Sequence, residues 1–496
     1  MRRGGGRFLG AEDVILLAAV VALPWFFGGV FLDAYRAAAA VIAVAAGWAL
    51  VRHGAPGLGL GRGLFWLLPA FLLLGFALLQ SAPLPRALVA RLSPRAASLQ
   101  ASAFGTEAAG ATAWLRAIEA EGRALAPEAA SAVVPTTGAL VPAPFAEGPP
   151  KAFTLSLFPQ ATIERACWFA ALLLAFLLVQ WRTANERRAA TYRATLFALF
   201  GLLAVVGMLN HFTAPLRILW LRDAPPLSRP FGPYVDPSHF AGAMELGVPW
   251  LLGYGLFALL GLSDARRSTG GVFALAAAVA GGVAALLSAS KMAALMIGLS
   301  SLLLIALAFV ASRGRGRSVI LAGAALVAVL LGVVALSGPL RNRLIEFEAT
   351  HEGNVSRSLR VVAWQAGARM VADYPLTGSG FGACVDLLPA YLPRGESGTW
   401  AQLHNDFLEV VVAGGAIGAA LVTWLSITFC WRAVRSLRLD ATRGRFLPGL
   451  GLCLGLIALA VHETVDFNLQ MPANALLFVV MAAMAVSPLT REGQVA

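Results

Sequence analysis

Apolar stretches of about 20 residues follow one another along this chain, and they limit its possible folds more than any other feature. Of its 496 residues, 58% are hydrophobic and 13% are charged, whereas a soluble chain carries about a quarter charged residues. Stretches of this length predict helices rather than barrel strands, because a helix satisfies its own backbone polar groups inside a bilayer. The predicted fold class is an all-α polytopic membrane protein.

Twelve spans are predicted within a single membrane domain that covers residues 1–496. They lie at 13–31, 35–51, 63–80, 164–181, 192–212, 238–262, 270–288, 291–311, 319–337, 406–430, 446–461 and 471–487. The basic, then apolar N-terminus resembles a signal peptide. We interpret it as a retained first span, because no small-x-small cleavage site follows. Two long loops, 81–163 and 338–405, interrupt the series.

Arginine is distributed unevenly between the two sets of connecting segments. If the N-terminus is cytoplasmic, the cytoplasmic segments are rich in arginine, whereas the short outer loops hold only Arg217, Arg222 and Arg229, with Arg36 at a span edge. The positive-inside rule then predicts an N-in, C-in topology with both long loops in the periplasm. The net charge of +12 is explained by this topology and does not indicate a nucleic-acid partner.

Five polar clusters fall on the outer face in this topology. They are GPYVDPSHFA (232–241), SASK (288–291), SRSLRVVAW (356–364), LHNDFLE (403–409) and HETVDFN (462–468). Ionisable residues at membrane edges are costly to bury and tend to mark sites. A shared site on the outer face is therefore predicted.

His404 and Asn405 open a predicted span. The dipole at a helix N-terminus disfavours a protonated imidazole, so a neutral His404 can act as general base on a hydroxyl. We expect Asp406 to cap the helix and Glu409 to lie one turn further in, where an unpaired carboxylate is costly. The plainer interpretation is that His404 only hydrogen-bonds a loop.

Arg357, Arg360 and Trp364 share one face of a predicted amphipathic helix in the second long loop. A helix of this kind is expected to lie flat at the membrane interface. Its arginines can grip phosphates bidentately. Alternatively, they contact only lipid headgroups.

Three further features have two interpretations each. Lys291, after Ser288 and Ser290, is either a phosphate contact or a snorkelling lysine. The cluster of His462, Glu463 and Asp466 gives either catalytic support or a polar plug between helices, and His239 is similarly ambiguous. The glycines of residues 373–386 permit tight backbone geometry that could close a loop over the site.

The sequence holds no metal-ligand spacing, Walker motif or GxSxG motif, so no metal or cofactor is predicted. The glycine-rich segment is not a nucleotide fingerprint, because no strand precedes it.

These motifs resemble the bacterial O-antigen ligase and O-antigen polymerase superfamily over residues 230–485. The resemblance rests on Arg360-x-x-x-Trp364, Pro375-Leu376-Thr377-Gly378-x-Gly380-x-Gly382, and His404-Asn405-x-x-Leu408-Glu409 followed by Gly414, Gly415 and Gly418. It implies a periplasmic glycosyltransferase of the inner membrane. Such an enzyme moves a glycan from undecaprenyl pyrophosphate to an acceptor hydroxyl, without metal or nucleotide sugar.

The resemblance also implies roles for single residues. His404 matches the proposed catalytic base, and Arg360 matches a pyrophosphate-binding arginine. The second basic residue of the family usually follows a serine as Ser-Arg. Here it is Ser290-Lys291, which keeps the charge and loses the bidentate fork.

Two classes of function remain open from the sequence. Within the glycosyltransferase class, the acceptor can be a glycan, a lipid core or a protein, which corresponds to polymerase, ligase or protein-glycosylating activity. The alternative class is a transporter or channel for a small anion or lipid. A transporter usually has polar residues near the midplane, whereas here the span centres are nearly bare of charge.

Overall fold

The computed structural model describes residues 9–57, 62–105, 152–225, 228–260, 265–311, 321, 323–324, 355–393, 402–442 and 445–487. These residues are mainly helical. The helices are α1 (Ala11–Ala22), α2 (Leu32–Gly57), α3 (Leu68–Ser81), α4 (Arg86–Leu92), α5 (Pro94–Gly105), α6 (Pro159–Thr183), α7 (Glu186–Thr213), α8 (Pro237–Leu259), α9 (Ala265–Leu287), α10 (Lys291–Ala311), α11 (Val355–Asp373), α12 (Cys384–Leu387), α13 (Asp406–Thr442), α14 (Phe446–His462) and α15 (Pro472–Ala485). Two antiparallel pairs of short strands accompany them, β1 (Leu84–Pro85) with β2 (Ala152–Phe153) and β3 (Arg217–Ile218) with β4 (Arg222–Asp223).

Seven of the described helices are long and apolar enough to cross a membrane. They lie at Leu32–Gly54, Pro159–Thr183, Glu186–Thr213, Pro237–Leu259, Thr269–Leu287, Lys291–Val310 and Asp406–Ala441, with shorter apolar helices at Phe65–Ser81, Phe446–His462 and Pro472–Ala485. This architecture agrees with the predicted all-α membrane protein.

The structure departs from the first predicted span, and it does not describe most of the ninth. Over 13–31 the structure differs from one continuous span. There α1 ends at Ala22 and two 3-10 turns follow, because Pro24 and the left-handed Gly28 interrupt regular helix. The ninth span, 319–337, lies outside the described residues except for 321, 323 and 324.

Helix α8 is the centre of the bundle and is almost entirely buried. It runs antiparallel to α14 at close range: a Cβ on Gly451 would lie 2.4 Å from the Pro249 carbonyl oxygen, and one on Gly253 would lie 2.5 Å from that of Leu447. Small residues allow such backbone approach where no hydrophobic effect drives helices together. The start of α8 and the end of α14 therefore lie at the same end of the bundle.

The opposite end contains a buried ionic cluster that joins α1, α6 and α7. The Arg182 guanidinium, 1% exposed, contacts Asp13 and lies 2.9 Å from Glu12, and the Tyr192 hydroxyl donates to Asp13 at 3.1 Å. Arg182 belongs to one of the arginine-rich connecting segments, whose side chains are expected at the membrane surface. The structure buries it against two carboxylates instead.

The glycine-rich segment docks into a break in α13. Helix α13 is interrupted at Gly415, whose φ of 60° and ψ of −159° suit glycine alone. Ala416 N–H donates to the Pro375 carbonyl at 2.8 Å, and Gly380 N–H donates to that of Ala413 at 3.0 Å. The segment expected to close a loop over the site instead packs against α13. We call residues 375–382 the wedge; Thr377 and Ser379 within it are buried.

A buried glutamine completes the hydrogen bonding at this break. The Gln80 side-chain amide donates to the Thr377 carbonyl at 2.6 Å and to the Ala413 carbonyl at 2.9 Å, and its oxygen accepts from Phe381 N–H at 3.3 Å. Non-helical backbone at membrane depth is tolerated only where protein or a water-filled cavity surrounds it. Gln80 is fully buried, so it satisfies groups that water does not reach.

We predict that Gly415→Ala destabilises the protein strongly. An added Cβ would lie 2.5 Å from Leu376 backbone atoms and 2.5 Å from the Gly378 nitrogen, and the backbone conformation alone costs about 1–3 kcal/mol for other residues. Gly418→Ala in the same helix is the matched control, because its Cβ would meet nothing closer than 3.4 Å. Thermal unfolding in detergent should show a large fall in Tm for the first variant only; equal melting of both would contradict the prediction.

Candidate functional site

Polar side chains from four elements meet at the end of the bundle where α8 begins and α14 ends. The elements are α8, α11, the start of α13, and the loop that follows α14. The site contains residues that were all predicted from the sequence: His239, Arg360, His404, His462 and Asp466. Lys291 begins α10, two residues after the turn that ends α9. Because α9 runs antiparallel to α8, Lys291 lies at this same end.

His404 lies in a strained turn just before α13. Its φ of 51° is left-handed, which is uncommon for a residue with a side chain. The imidazole packs edge-on against Phe467 with ring centroids 4.8 Å apart. Within the described part of the chain, its buried Nδ1 atom has no hydrogen-bond partner. The geometry therefore leaves a ring nitrogen uncommitted.

The pKa of His404 is lowered from its ordinary value. Burial is the largest cause, and the charge of Arg360 acts in the same direction, while Asp466 and Asp236 oppose the shift. His404 is therefore predominantly neutral at neutral pH, which is the form that can accept a proton.

Asn405, and not Asp406, caps α13. The Asn405 side-chain oxygen accepts from Leu408 N–H at 2.9 Å. The expectation that Asp406 caps the helix is wrong, because Asp406 is already the first helical residue and its carboxylate accepts from the Gln470 side chain at 3.2 Å.

Glu409 is buried one turn into α13, as its position predicts, and it has polar partners. With its amide nitrogen turned toward Glu409, Gln402 donates to both carboxylate oxygens at 2.7 Å. Leu403 N–H also hydrogen-bonds this carboxylate. These contacts anchor both sides of His404 in the chain.

His239, His462 and Asp466 form a connected buried cluster that includes Glu245. His462 Nδ1 lies 3.0 Å from Glu245, His462 Nε2 lies 3.4 Å from Asp466, and His239 Nε2 lies 3.8 Å from Asp466. The Phe467 ring also contacts His239, with centroids 4.7 Å apart, so it lies between His239 and His404. Glu245 was not among the predicted site residues; its only signal in the sequence is that it is a single acid within an apolar span.

The pKa of Asp466 is lowered to about 2. Burial alone would raise it, but the hydrogen bond from His462 and the charges of His239 and His462 outweigh burial. Asp466 is therefore ionised, and it is a fixed negative charge beside the two histidines.

Helix α11 carries the arginines of the site. The half-buried Arg360 is close enough to His404 for its charge to lower the pKa of that imidazole. Arg357 lies three residues earlier in α11, and its side chain lies outside the described residues. Trp364, one turn beyond Arg360, buries an indole N–H that has no partner within the described chain.

The apolar stripe of α11 faces protein rather than lipid. Ala363, Ala366 and Met370 are fully buried in a core with Leu388 and Leu403. This differs from the expected helix lying with its apolar face on the bilayer. The contact fixes α11 against the segment that carries His404.

A family model described as O-antigen ligase matches residues 274–423. The match includes Lys291, α11 and His404. It supports membership of this chain in the O-antigen ligase and polymerase superfamily, as the motifs predicted. No curated protein matches the chain significantly. Among the described residues, no group of His, Cys, Asp and Glu side chains is arranged to hold a metal ion.

We predict that Asn405→Ala lowers stability by about 1 kcal/mol through loss of the helix cap. Asn405→Ser is the matched control, because a serine hydroxyl can accept the same hydrogen bond from Leu408 N–H. Thermal unfolding in detergent should separate the two variants. Equal loss in both would show that capping is not the role of this side chain.

We predict that Glu463→Gln becomes more stabilising relative to the parent as the pH rises. Burial, followed by the nearby charge of Asp406, raises the pKa of Glu463. A raised carboxyl pKa favours the folded state below the ordinary glutamate value, and this contribution is lost as the pH rises. Tm measured from pH 5 to about pH 9 should show a widening gap in favour of the glutamine variant. A constant gap would contradict the burial argument.

Proposed function

We propose that this protein is a glycosyltransferase that moves a glycan from undecaprenyl pyrophosphate to an acceptor hydroxyl on the periplasmic face. The observation that carries the proposal is the proximity of a neutral His404, whose Nδ1 has no hydrogen-bond partner among the described residues, to the Arg360 guanidinium. Both residues lie within the stretch that matches an O-antigen ligase family model. A base and a cation are the two groups that this reaction needs. The reaction proceeds without metal.

His404 acts as the general base. It removes the proton of the acceptor hydroxyl as that oxygen attacks the anomeric carbon of the glycan. Asp466 carries a negative charge nearby, and this charge stabilises the imidazolium that forms. Displacement of the pyrophosphate from the opposite side inverts the anomeric centre.

Arg360 holds the departing pyrophosphate, with Lys291 and Arg357 as further cations. The charge on the leaving group increases as the glycosidic bond breaks, and fixed cations stabilise it in a site shielded from water. Arg360 offers a bidentate fork, whereas Lys291 offers a single mobile charge.

The protein is proposed to lie in the bacterial inner membrane with twelve spans, both termini in the cytoplasm, and the site at the periplasmic edge. The uneven distribution of arginine supports this orientation. The site and the ionic cluster around Arg182 lie at opposite ends of the bundle, and this separation also supports the orientation.

The acceptor distinguishes a ligase from a polymerase, and both share the donor proposed here. A gene deletion followed by gel analysis of surface polysaccharide separates them. Loss of chain length with single repeats still attached indicates a polymerase. Loss of decorated lipid core with accumulation of carrier-linked polymer indicates a ligase.

We predict that His404→Ala reduces glycan product by at least about a hundredfold, because a general base typically contributes that much or more. His53→Ala removes an imidazole from the opposite end of the bundle and should leave product unchanged. Gel analysis after complementation, with both proteins at equal membrane levels, gives the result. Undiminished product from the His404 variant would overturn the proposed function.

We predict that Arg360→Lys retains part of the activity that Arg360→Ala loses. Lysine keeps the positive charge without the bidentate geometry. The amount of product formed per unit of membrane protein should therefore decrease from the parent to the lysine variant and from the lysine variant to the alanine variant. Equal loss in both variants would assign the effect to geometry alone, and no loss in either would exclude Arg360 from the pyrophosphate site.

A further inference from the structure

Glu245 is an acid buried inside a membrane-spanning helix. It lies about two turns into α8 and is fully buried. The five residues before it, from Phe240 to Met244, are all uncharged. A carboxylate in such a place is costly unless it is paired, and it usually marks a function. Its partner is the equally buried His462 at the end of α14.

The geometry around His462 favours its protonated form. Nδ1 lies 3.1 and 3.0 Å from the two Glu245 oxygens, and Nε2 lies 3.4 Å from an Asp466 oxygen. A neutral imidazole carries one N–H, so it can donate on only one side, whereas an imidazolium donates on both. Two flanking carboxylates therefore match the protonated form. With both carboxylates ionised and His462 protonated, the three groups together carry one net negative charge.

We propose that Glu245 is a positioning residue that acts through the His462 imidazolium to fix the Asp466 carboxylate beside His404. This inference rests on the proposed role of His404 as base. Without Glu245, and with His462 still protonated by its contact with Asp466, the charges of Asp466 and His462 would cancel. With Glu245 present, one negative charge remains available to the imidazolium that His404 becomes when it accepts a proton.

Several charged groups act directly on the His404 imidazole. Asp466 and Asp236 favour the protonated form of His404, whereas Arg360 and His239 disfavour it. Arg360 lies on α11, Asp236 and His239 lie at the start of α8, and Asp466 follows α14. Glu245 adds its effect from deeper in α8, through a hydrogen-bonded contact rather than by touching the reacting atoms.

The test is a titration of the full-length protein labelled with ¹⁵N-histidine in lipid nanodiscs. The chain has six histidines, and His404→Gln and His462→Gln variants assign the two signals. In the parent protein, both ring nitrogens of His462 should be protonated at neutral pH. A neutral His462 there would overturn the proposal, and this result needs no variant of Glu245 to fold.

The second measurement is the His404 titration midpoint in Glu245→Gln. Removal of the negative charge destabilises the His404 imidazolium, so the midpoint should fall by roughly half a pH unit. Glu245→Asp keeps the carboxylate and should restore the midpoint at least in part. Glu164→Gln removes a carboxylate that pairs with Arg36 and is the matched control, with no shift expected.

An unchanged midpoint in Glu245→Gln would overturn the proposal. These readings do not require turnover, so they remain valid whether or not glycan is transferred. Loss of transfer in the His404→Ala assay tests the proposed function separately. The two ideas can therefore fail independently.

Discussion

The close antiparallel contact of α8 with α14 fixes the two helix ends around which the candidate site is built. Gly253 and Gly451 let the two backbones approach within van der Waals distance along their length. Such contact fixes the relative height of the helices, because a shift by one turn would bring larger side chains into the gap. As a result, His239 near the start of α8 and His462 at the end of α14 lie close to the same carboxylate, Asp466.

A second constraint comes from the backbone of α13 and its wedge. An interrupted helix in an apolar surrounding exposes donors and acceptors that lipid cannot satisfy. Gln80 and the segment from Pro375 to Gly382 satisfy several of them, and this ties α3, the wedge and α13 together. His404 and Asn405 lie at the start of that same helix. The position of His404, the proposed base, thus depends on packing that is remote from it in sequence.

The sequence predicted the helical membrane class and most members of the site, because charge and hydropathy report directly on membrane depth and sidedness. His239, Arg360, His404, His462 and Asp466 all stood out as polar groups at one face. The sequence did not predict which residue caps α13, since capping depends on where the first helical turn begins. Nor did it predict Glu245 or Gln80, because one polar side chain in an apolar stretch does not reveal its partner on another helix.

The amphipathic pattern of α11 shows why hydropathy alone is ambiguous. A stripe of apolar residues fits a lipid surface and a protein surface equally well, and only tertiary structure separates the two. Here Ala363, Ala366 and Met370 pack on the core that supports His404.

The buried cluster around Arg182 has a consequence for how the protein is made. Asp13 and its guanidinium partner are separated by 169 residues of chain. Glu12 also contacts His53 of α2, with 3.3 Å between Oε1 and Nε2, but neither acid of α1 meets Arg182 until α6 is synthesised. A buried acid without its ion-pair partner is costly until then. The N-terminal helix can reach its final place only after α2, α3 and the first long loop have emerged. The first helix therefore completes its ion pairs long after it has itself been translated.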